Sequence, residues 1–481
     1  MSLQVYSFMT RQKELFEPIH EGRVGMYVCG PTVYDWSHVG HAKLYISMDV
    51  IVRYLRHLGY DVRYVQNITD VGHLLDTGED RIMKGVRRER VEPMELVERY
   101  TRYYFDDMDA LYVLRPDISP RATCHIPEQI ALARRLLAKG HAYEVNGSVY
   151  FDVSSWPEYG KLSGRRVEEL EAGSRVAVME EKRHPADFAV WKKAEPEHIL
   201  QWESPWGAGY PGWHAECSAM ATKYLGQPFD IHGGGLENMF PHNECEIAQA
   251  EAAGAVAFAR FWLLAGSLTI DGVKMSKSLG NTVTIREALE RWRPEVIRTF
   301  ILSTHYRSPV DFSETAVDAA GKGWERINSA ANLVRRQLQT AADGPLDAGF
   351  AAFLEEHRAA FHSKMDDDFN APAALGGLQD FTRGVNTLLN SDDTPTVPTL
   401  EAIHELYRQL AGDVLGILGA DQTGAASAER EAGLIELLVE MRDQARQNRD
   451  WKQADAIRDR LAELGVVLED RPEATVWRIT G

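Results

Sequence analysis

The sequence predicts an α/β protein in which a parallel-sheet domain with an insertion is followed by C-terminal α-helical domains. A short apolar run at Val24–Val28 is followed from His41 by apolar residues at helical spacing, and this pattern stops at Gly59. A second strand pattern begins at Val62. Strand, helix and strand in this order form a βαβ unit with parallel strands. From about Glu314 onward the pattern is helical.

Turn-forming residues divide the rest of the chain. A hairpin is expected at Ala142–Val153 around Asn146 and Gly147, inside a mixed stretch that interrupts the sheet domain. We therefore expect six segments: 1–120, the first half of the sheet domain; 121–205, the insertion; 206–262, the second half; 263–315, a connecting region; 316–420, a helical bundle; and 421–481, a terminal segment.

Composition excludes several classes of protein. The net charge of −18 repels polyanions, so the chain is not expected to coat nucleic acid nonspecifically. Four cysteines in 481 residues do not make a disulfide framework, which leaves metal binding or catalysis as roles for the thiols. Neither a membrane-spanning apolar stretch nor a signal peptide is recognisable. We expect a cytoplasmic protein without a membrane partner.

Two pairs of basic residues are candidates for phosphate binding. His38 and His41 follow the first predicted strand, where parallel sheets bind ligands beside a helix N-terminus. Gly40 leaves room for a nucleotide near the backbone. The alternative interpretation is a helix cap and a core histidine. Lys274 and Lys277 can neutralise a transferring phosphate and its leaving group from a mobile loop, or form a solvated basic turn.

Two cysteines, a histidine and a glutamate form a candidate zinc site. Cys29 ends the first strand, Cys217 follows in the second half of the sheet domain, and His242 and Glu246 are four residues apart on one face of a predicted helix. Thiolate, imidazole and carboxylate are all zinc ligands. Unrelated residues are the alternative. Cys245 is either a rival ligand or a thiol that faces away.

The segments His38-Val-Gly-His41 and Lys274-Met-Ser-Lys-Ser278 resemble the two signature motifs of class I aminoacyl-tRNA synthetases. This resemblance implies a Rossmann-type catalytic domain that activates an amino acid with ATP, accompanied by Mg²⁺. It also implies catalytic roles for His38, His41, Lys274 and Lys277. The ATP-binding residues that it implies are His38, Gly40, His41, Asp230, Gly233, Gly234 and Lys277.

Five further motifs resemble those of cysteinyl-tRNA synthetases: Cys29-Gly-Pro-Thr32, Asn67-Ile-Thr-Asp70, Pro211-Gly-Trp-His-Ala-Glu-Cys-Ser-Ala-Met220, Asp230-Ile-His-Gly-Gly-Gly235 and Glu246-Ile-Ala-Gln249. The resemblance implies one Zn²⁺ per chain, with the ligands Cys29, Cys217, His242 and Glu246. It implies a pocket for the substrate cysteine formed by Gly30, Thr69, Trp213, His214 and His232. The chain departs from the common pattern at Asn243, where a second histidine is frequent, and at Cys245, where asparagine is commoner.

A zinc ion would explain how cysteine is chosen over serine. Pocket shape discriminates poorly between near-isosteres, whereas zinc binds thiolate strongly and a hydroxyl poorly. We therefore expect the substrate thiolate to become a direct zinc ligand, without need of a proofreading domain.

The C-terminal segment resembles the anticodon-binding segment of the same family. Arg442, Arg446 and Arg449 are predicted on one helical face, where they can contact phosphates, and Trp451 can stack on an unpaired base. The alternative is an exposed helix whose arginines pair with the interleaved aspartates and whose tryptophans pack inside.

The expected function is activation of cysteine with ATP and its transfer to the 3′ end of cysteine tRNA, by a chain that acts as a monomer. The partners are ATP, L-cysteine and cysteine tRNA. One alternative is a ligase that joins cysteine to an amino-sugar acceptor. Another is a zinc- and RNA-binding relative without catalysis, although both signature motifs and all four candidate ligands are present.

Overall fold

The computed structural model describes residues 2–72, 81–165, 181–195, 198–275, 280–391, 395–419, 425–470 and 475–479. These residues belong to two compact units, Met1–Leu418 and Gly419–Gly481. The prediction of an α/β fold with a parallel sheet and helical C-terminal parts is confirmed. Within the described ranges, the chain has no helix that is both long and apolar enough to cross a membrane.

The strands are β1 (Gln4–Ser7), β2 (Gln12–Leu15), β3 (Arg23–Val28), β4 (Asp61–Gln66), β5 (Ala142–Val145), β6 (Ser148–Phe151), β7 (Phe188–Lys193), β8 (Gly209–Pro211), β9 (Phe229–Gly235), β10 (Ala259–Ala265), β11 (Leu268–Ile270), β12 (Val273–Lys274), β13 (Val310–Phe312), β14 (Val466–Asp470) and β15 (Thr475–Ile479).

The helices are α1 (Val39–His57), α2 (Arg81–Glu89), α3 (Pro93–Ala110), α4 (Ile126–Ala138), α5 (Trp213–Leu225), α6 (Glu244–Gly254), α7 (Ile285–Arg291), α8 (Pro294–Leu302), α9 (Glu314–Leu338), α10 (Ala348–Met365), α11 (Ala371–Leu389), α12 (Val397–Tyr407), α13 (Ala425–Gln447) and α14 (Trp451–Glu463).

The central sheet has four parallel strands in the order β10-β9-β3-β4. Strand β3 lies in the middle, and its residues Met26, Tyr27 and Val28 are fully buried because neighbours cover both faces. Helix α1 connects β3 to β4 and packs along the sheet with an apolar face. The carboxyl ends of β3, β4 and β9 therefore meet at one edge, which is where such sheets bind ligands.

The insertion forms its own antiparallel sheet in the order β5-β6-β7-β8. Its first hairpin turns at Asn146 and Gly147, which have φ values of 52° and 85°. Both values are left-handed, as a two-residue hairpin turn requires. The fourth strand, Gly209–Pro211, pairs with β7, so the predicted end of the insertion at residue 205 is too early. Proline and glycine hid this short strand in the sequence.

A buried ion pair ties the first helix to the end of the helical bundle. The Arg298 guanidinium of α8 donates to Asp49 of α1 at 2.6 Å, and both side chains are fully buried. The same guanidinium donates to the carbonyl of Leu415 at 2.8 Å and to that of Leu111 at 3.0 Å. Because its donors are satisfied, this buried charge holds three segments in place.

The second unit consists of α13, α14 and the hairpin β14-β15. Its small core contains Ile435, Val439, Leu461 and Val466. The hairpin was not predicted, because only a helical pattern was recognised in this segment. The valine and leucine residues at 466–468 were the available signal.

Two histidines meet where α1 contacts α10. Nε2 of His57 lies 2.9 Å from Nε2 of His362. Burial lowers the pKa of both imidazoles below the ordinary value, and each charged ring would repel the other or the nearby Arg358.

This pair predicts a loss of stability in acid. A histidine whose pKa is lowered by folding stabilises the fold above its unfolded pKa of about 6.5, and that contribution disappears as the pH falls through the folded pKa. The double variant His57→Gln/His362→Gln should therefore lose less stability than the parent between pH 8 and pH 5.5. Urea unfolding midpoints at both pH values measure this difference. Equal losses in the two proteins would contradict the assignment.

Candidate active site and metal centre

The four candidate metal ligands lie together at the carboxyl edge of the sheet. The ligand atoms of Cys29, Cys217, His242 and Glu246 all lie within 4.8 Å of one another, and all four residues are buried. Cys29 follows β3, Cys217 lies in α5, and Glu246 lies in the first turn of α6. His242 lies in the helical turn Met239–Asn243 that leads into this helix, and the extended backbone of Phe240 (φ −137°, ψ 130°) puts the start of the helical backbone at Pro241.

The separations fit a tetrahedral ion. Sulfur at ~2.3 Å and nitrogen or oxygen at ~2.1 Å from a tetrahedral zinc are about 3.6 Å apart. Cys29 Sγ lies 3.6 Å from Glu246 Oε1, and Cys217 Sγ lies 3.7 Å from His242 Nε2. His242 Nε2 and Glu246 Oε1 are closer, at 2.7 Å, which is a hydrogen-bond distance. Two sulfurs, one nitrogen and one oxygen are a donor set that suits zinc.

The electrostatics of the four groups favour a bound cation. The Cys29 thiol donates to Cys217 and lowers the pKa of Cys217 to about 6 against the effect of burial. The same contact, burial and the Glu246 charge raise the pKa of Cys29. Burial lowers the pKa of His242, but Glu246 and Cys217 outweigh it and raise that pKa to about 10. The cluster therefore attracts positive charge, and a metal ion would displace its protons.

Neighbouring aromatic rings hold the ligands. The Trp213 ring stacks on His242 with centroids 4.1 Å apart, and His214 Nδ1 lies 2.9 Å from His242 Nδ1. Burial lowers the pKa of His214 to about 3, so this imidazole is neutral. His232 is fully buried, and its Nε2 lies 2.5 Å from Glu246 Oε2. His232 thus contacts a candidate metal ligand on the side away from Cys29, and its role in the substrate pocket stays a prediction.

A hydrogen-bonded chain joins the ends of β3 and β4 beside the metal ligands. The Gly30 N–H donates to Asn67 Oδ1 at 2.8 Å, Asn67 Nδ2 donates to Thr69 Oγ1 at 3.0 Å, and the Thr69 hydroxyl donates to Glu216 Oε2 at 3.0 Å. A Cβ at Gly30 would lie 1.5 Å from the Asn67 carbonyl oxygen, so only glycine fits. Asn67 and Glu216 lie in two of the quoted motifs but were not predicted as site residues. Their positions at a strand end and beside Cys217 were the available signal.

The histidine motif, His38-Val-Gly-His41, opens α1, and the second signature motif, Lys274-Met-Ser-Lys-Ser278, is called the lysine motif below. The rings of His38 and His41 stack with centroids 3.8 Å apart, and the His38 N–H donates to His41 Nδ1 at 3.2 Å. A Cβ at Gly40 would lie 2.9 Å from Met275 Cε and 3.0 Å from His38 Nδ1. The space that Gly40 leaves is therefore filled by Met275, from the lysine motif, and by His38.

The segment that follows the lysine motif is anchored to the histidine motif through the backbone. The Val39 N–H donates to the Val283 carbonyl, and the Ile285 N–H donates to the Ser37 carbonyl, each at 3.0 Å. Lys274 is exposed at the end of β12. Lys277 lies outside the described residues. The two motifs, far apart in sequence, are thus neighbours in the fold.

The other predicted ATP-binding residues, Asp230, Gly233 and Gly234, lie in β9 and have different surroundings. Gly234 faces Cys29, whereas a Cβ at Gly233 would meet Met48 of α1 at 3.0 Å. The absence of a side chain at Gly233 lets α1 approach the sheet. Asp230 accepts hydrogen bonds from the N–H groups of Ile19 and Gly25 at 2.6 and 2.7 Å, at the opposite end of the strand. The predicted contact of Asp230 with ATP is therefore wrong.

Cys245 does not belong to the metal group. Its buried Sγ lies 3.4 Å from the Tyr159 hydroxyl, and burial raises the pKa of the thiol. Of the two alternatives for this residue, the structure supports the thiol that faces away from the ligands.

The predicted RNA contacts of the second unit are only partly exposed. Helix α13 ends at Gln447, and Arg449 follows in a turn with a φ of 60°, so the three arginines do not share one helical face. The Arg442 side chain is 7% exposed and contacts Thr475 of the hairpin, which contradicts its prediction as a phosphate contact. Arg446 is half-buried. Trp451, at the start of α14, is 59% exposed.

Comparison with known proteins shows which families and structures this chain resembles. The family profile for the tRNA synthetases class I (C) catalytic domain matches residues 15–322, the DALR domain matches 360–419, and the cysteinyl-tRNA ligase anticodon binding domain matches 435–478. The methionyl-tRNA synthetase of Mycobacterium tuberculosis, solved with methionyl-adenylate, has a TM-score of 0.60 at 19% identity over 84% of this chain and 96% of that one.

Three curated relatives have the name cysteine--tRNA ligase. The relative from Chlorobium luteolum is 50% identical over 100% of both chains. That from Deinococcus radiodurans is 50% identical over 99% of this chain and 97% of the relative. That from Thermus thermophilus is 49% identical over 100% of both. The catalytic domain is thus that of a class I aminoacyl-tRNA synthetase. The chain belongs to the cysteine--tRNA ligase family.

The candidate ligand set Cys29, Cys217, His242 and Glu246 predicts that two cysteine substitutions differ in their effect on zinc affinity. Cys217→Ser should weaken zinc binding, and Cys245→Ser should not. Cys217→Ser replaces a thiolate ligand by a poorly coordinating hydroxyl, so it should lower zinc affinity by at least about 10-fold. Cys245→Ser is the matched control, because this thiol is equally buried but faces Tyr159. Zinc content after dialysis against a chelator measures both. Retention of a full zinc equivalent by Cys217→Ser would contradict the ligand assignment.

Proposed function

We propose that the protein is an ATP-dependent cysteine--tRNA ligase that uses a zinc ion to select its amino acid. The observation that carries the proposal is the buried group of Cys29, Cys217, His242 and Glu246. Of these residues, Cys29 lies nine residues before the histidine motif on the same segment. A thiol-selecting site and a phosphate-binding turn are thereby adjacent at one sheet edge.

The residues around the metal group would hold the amino acid. Cys29, Cys217, His242 and Glu246 would bind zinc, which when present supplies a Lewis acid for the substrate thiolate. Trp213 and His214 fix the orientation of the His242 ring. The network of Gly30, Asn67 and Thr69 presents backbone and hydroxyl groups beside the ligands, where the rest of the substrate would lie.

The two signature motifs would carry out adenylation. Attack of the cysteine carboxylate on the α-phosphate of ATP, with Mg²⁺ bound to the phosphates, forms cysteinyl-adenylate and releases pyrophosphate. His38 and His41 would donate to the phosphates, and Lys274 and Lys277 would neutralise the developing charge. Cysteine then passes to the 3′ end of the tRNA with release of AMP. Gly40 and Gly234 would border the nucleotide.

The two alternatives are less well supported. An amino-sugar acceptor would not need the segment at 435–478, which matches an anticodon binding domain. A relative without catalysis would not need to keep the histidine and lysine motifs together with all four candidate ligands. The cytoplasmic location and the monomeric state stay predictions.

Amino-acid-dependent exchange of pyrophosphate into ATP tests the function. Cysteine should support exchange. Serine should support it more than about 100-fold less well, because pocket shape discriminates between such similar side chains by about 100-fold at most and the sulfur preference of zinc adds to that. Removal of zinc should abolish exchange with cysteine, and added zinc should restore it. Equal exchange with serine, or no exchange with cysteine in the zinc-loaded protein, would contradict the proposal.

Trp451 provides a test of the tRNA end. If an unpaired base stacks on this exposed ring, Trp451→Ala should raise the KM for cysteine tRNA about 5- to 150-fold, which corresponds to 1–3 kcal/mol. Pyrophosphate exchange should not change. Leu464→Ala is the control, because Leu464 is an exposed apolar residue of the same unit. Aminoacylation kinetics measure both, and an unchanged KM in Trp451→Ala would remove this residue from the interface.

A further inference from the structure

The metal group has an excess of negative charge. Two thiolates and one carboxylate carry three negative charges, and a divalent ion offsets only two of them. A substrate thiolate would add a fourth negative charge at a buried position. In a site of low polarity such charge is tolerated only if hydrogen-bond donors face the ligands. Two residues beside the four ligands, Asn243 and Tyr27, carry such donors.

Asn243 presents one donor group to two ligands. Its Nδ2 lies 3.3 Å from Glu246 Oε1 and 3.9 Å from Cys29 Sγ, and the residue is fully buried. The opposite amide orientation would turn an oxygen towards a carboxylate and a sulfur, which only repel it. The Asn243 amide therefore directs its N–H group towards the carboxylate and the sulfur.

Tyr27 provides a second buried donor near the sulfurs. On β3 it shares a face with Cys29 and Gly25, and a Cβ at Gly25 would lie 3.5 Å from Leu225 at the end of α5. Helix α5, which also carries Cys217, thus covers this face. The Tyr27 hydroxyl has no hydrogen-bond partner among the described residues. The Tyr27 ring lies 5.4 Å from the ring of His232, which contacts the ligand Glu246.

A buried hydroxyl without a hydrogen-bond partner destabilises the fold. This destabilisation is relieved if a metal-bound thiolate beside the hydroxyl accepts a hydrogen bond from it, because thiolate is a charged acceptor. Asn243 and Tyr27 approach the metal group through different elements, one before α6 and one on β3.

We propose that Asn243 and Tyr27 are positioning residues that donate hydrogen bonds to the metal-binding sulfurs, Asn243 to Cys29 and Tyr27 to Cys217. These bonds withdraw charge from the sulfurs and leave the ion electrophilic enough to accept a third thiolate, that of the substrate. The proposal rests on the proposed zinc centre and adds two residues that control how it binds sulfur.

Cobalt substitution tests the proposal without reference to activity. Co²⁺ bound by thiolates gives a sulfur-to-metal charge-transfer band, and loss of a hydrogen bond to sulfur moves that band to lower energy. Asn243→Leu and Tyr27→Phe should each shift the band in this direction and weaken Co²⁺ binding about 10- to 100-fold in competition with a chelator. The KM for cysteine should rise, whereas the KM for ATP should not.

Two controls separate the donor role from packing. Tyr159→Phe removes another buried hydroxyl, which faces Cys245, and should leave the band unchanged. Asn243→His keeps an N–H donor and should retain most of the affinity, so it tests the role of Asn243 if Asn243→Leu does not fold. Absence of the band in the parent protein would refute the metal centre itself. A parent band that Tyr27→Phe and Asn243→Leu leave unmoved would refute the donor role alone.

Discussion

Two thiols, an imidazole and a carboxylate are buried within 4.8 Å of one another at the edge of the central sheet. Groups of this kind cannot all be ionised at such distances unless a cation lies between them. They arrive from β3, α5 and the segment that opens α6. A bound cation would therefore link three elements that are separated widely in the sequence, and the network through Asn67 and Glu216 continues from the same elements to β4.

In the proposed function, this arrangement would couple the choice of amino acid to its activation. Cys29 and the histidine motif lie on one segment, between β3 and α1. Backbone hydrogen bonds from Val39 and to Ser37 hold the segment that follows the lysine motif against it. Because the segment is fixed at both the sulfur end and the phosphate end, an amino acid bound through its thiol would have its carboxylate at the same edge of the sheet. Positioning of this kind contributes several kcal/mol to catalysis.

The sequence allowed prediction of what depends on local order and strand ends. Apolar periodicity predicts the βαβ unit and the start of α1 after His38. The meeting of parallel strands at one edge and the family resemblance predict that the four metal-ligand candidates lie together. Burial by distant segments could not be predicted in this way. Arg442 has the spacing of a surface residue but packs against a hairpin, and Asp230 has the composition of a ligand-binding loop but caps backbone groups at the far end of its strand.

The central claim is that the substrate is recognised through direct coordination of its sulfur. X-ray absorption at the zinc edge, recorded on the purified protein with and without cysteine, tests this claim most directly. Cysteine should increase the number of sulfur ligands from the two supplied by Cys29 and Cys217 to three, and serine should leave it at two. A sulfur count that does not change under saturating cysteine would contradict the account.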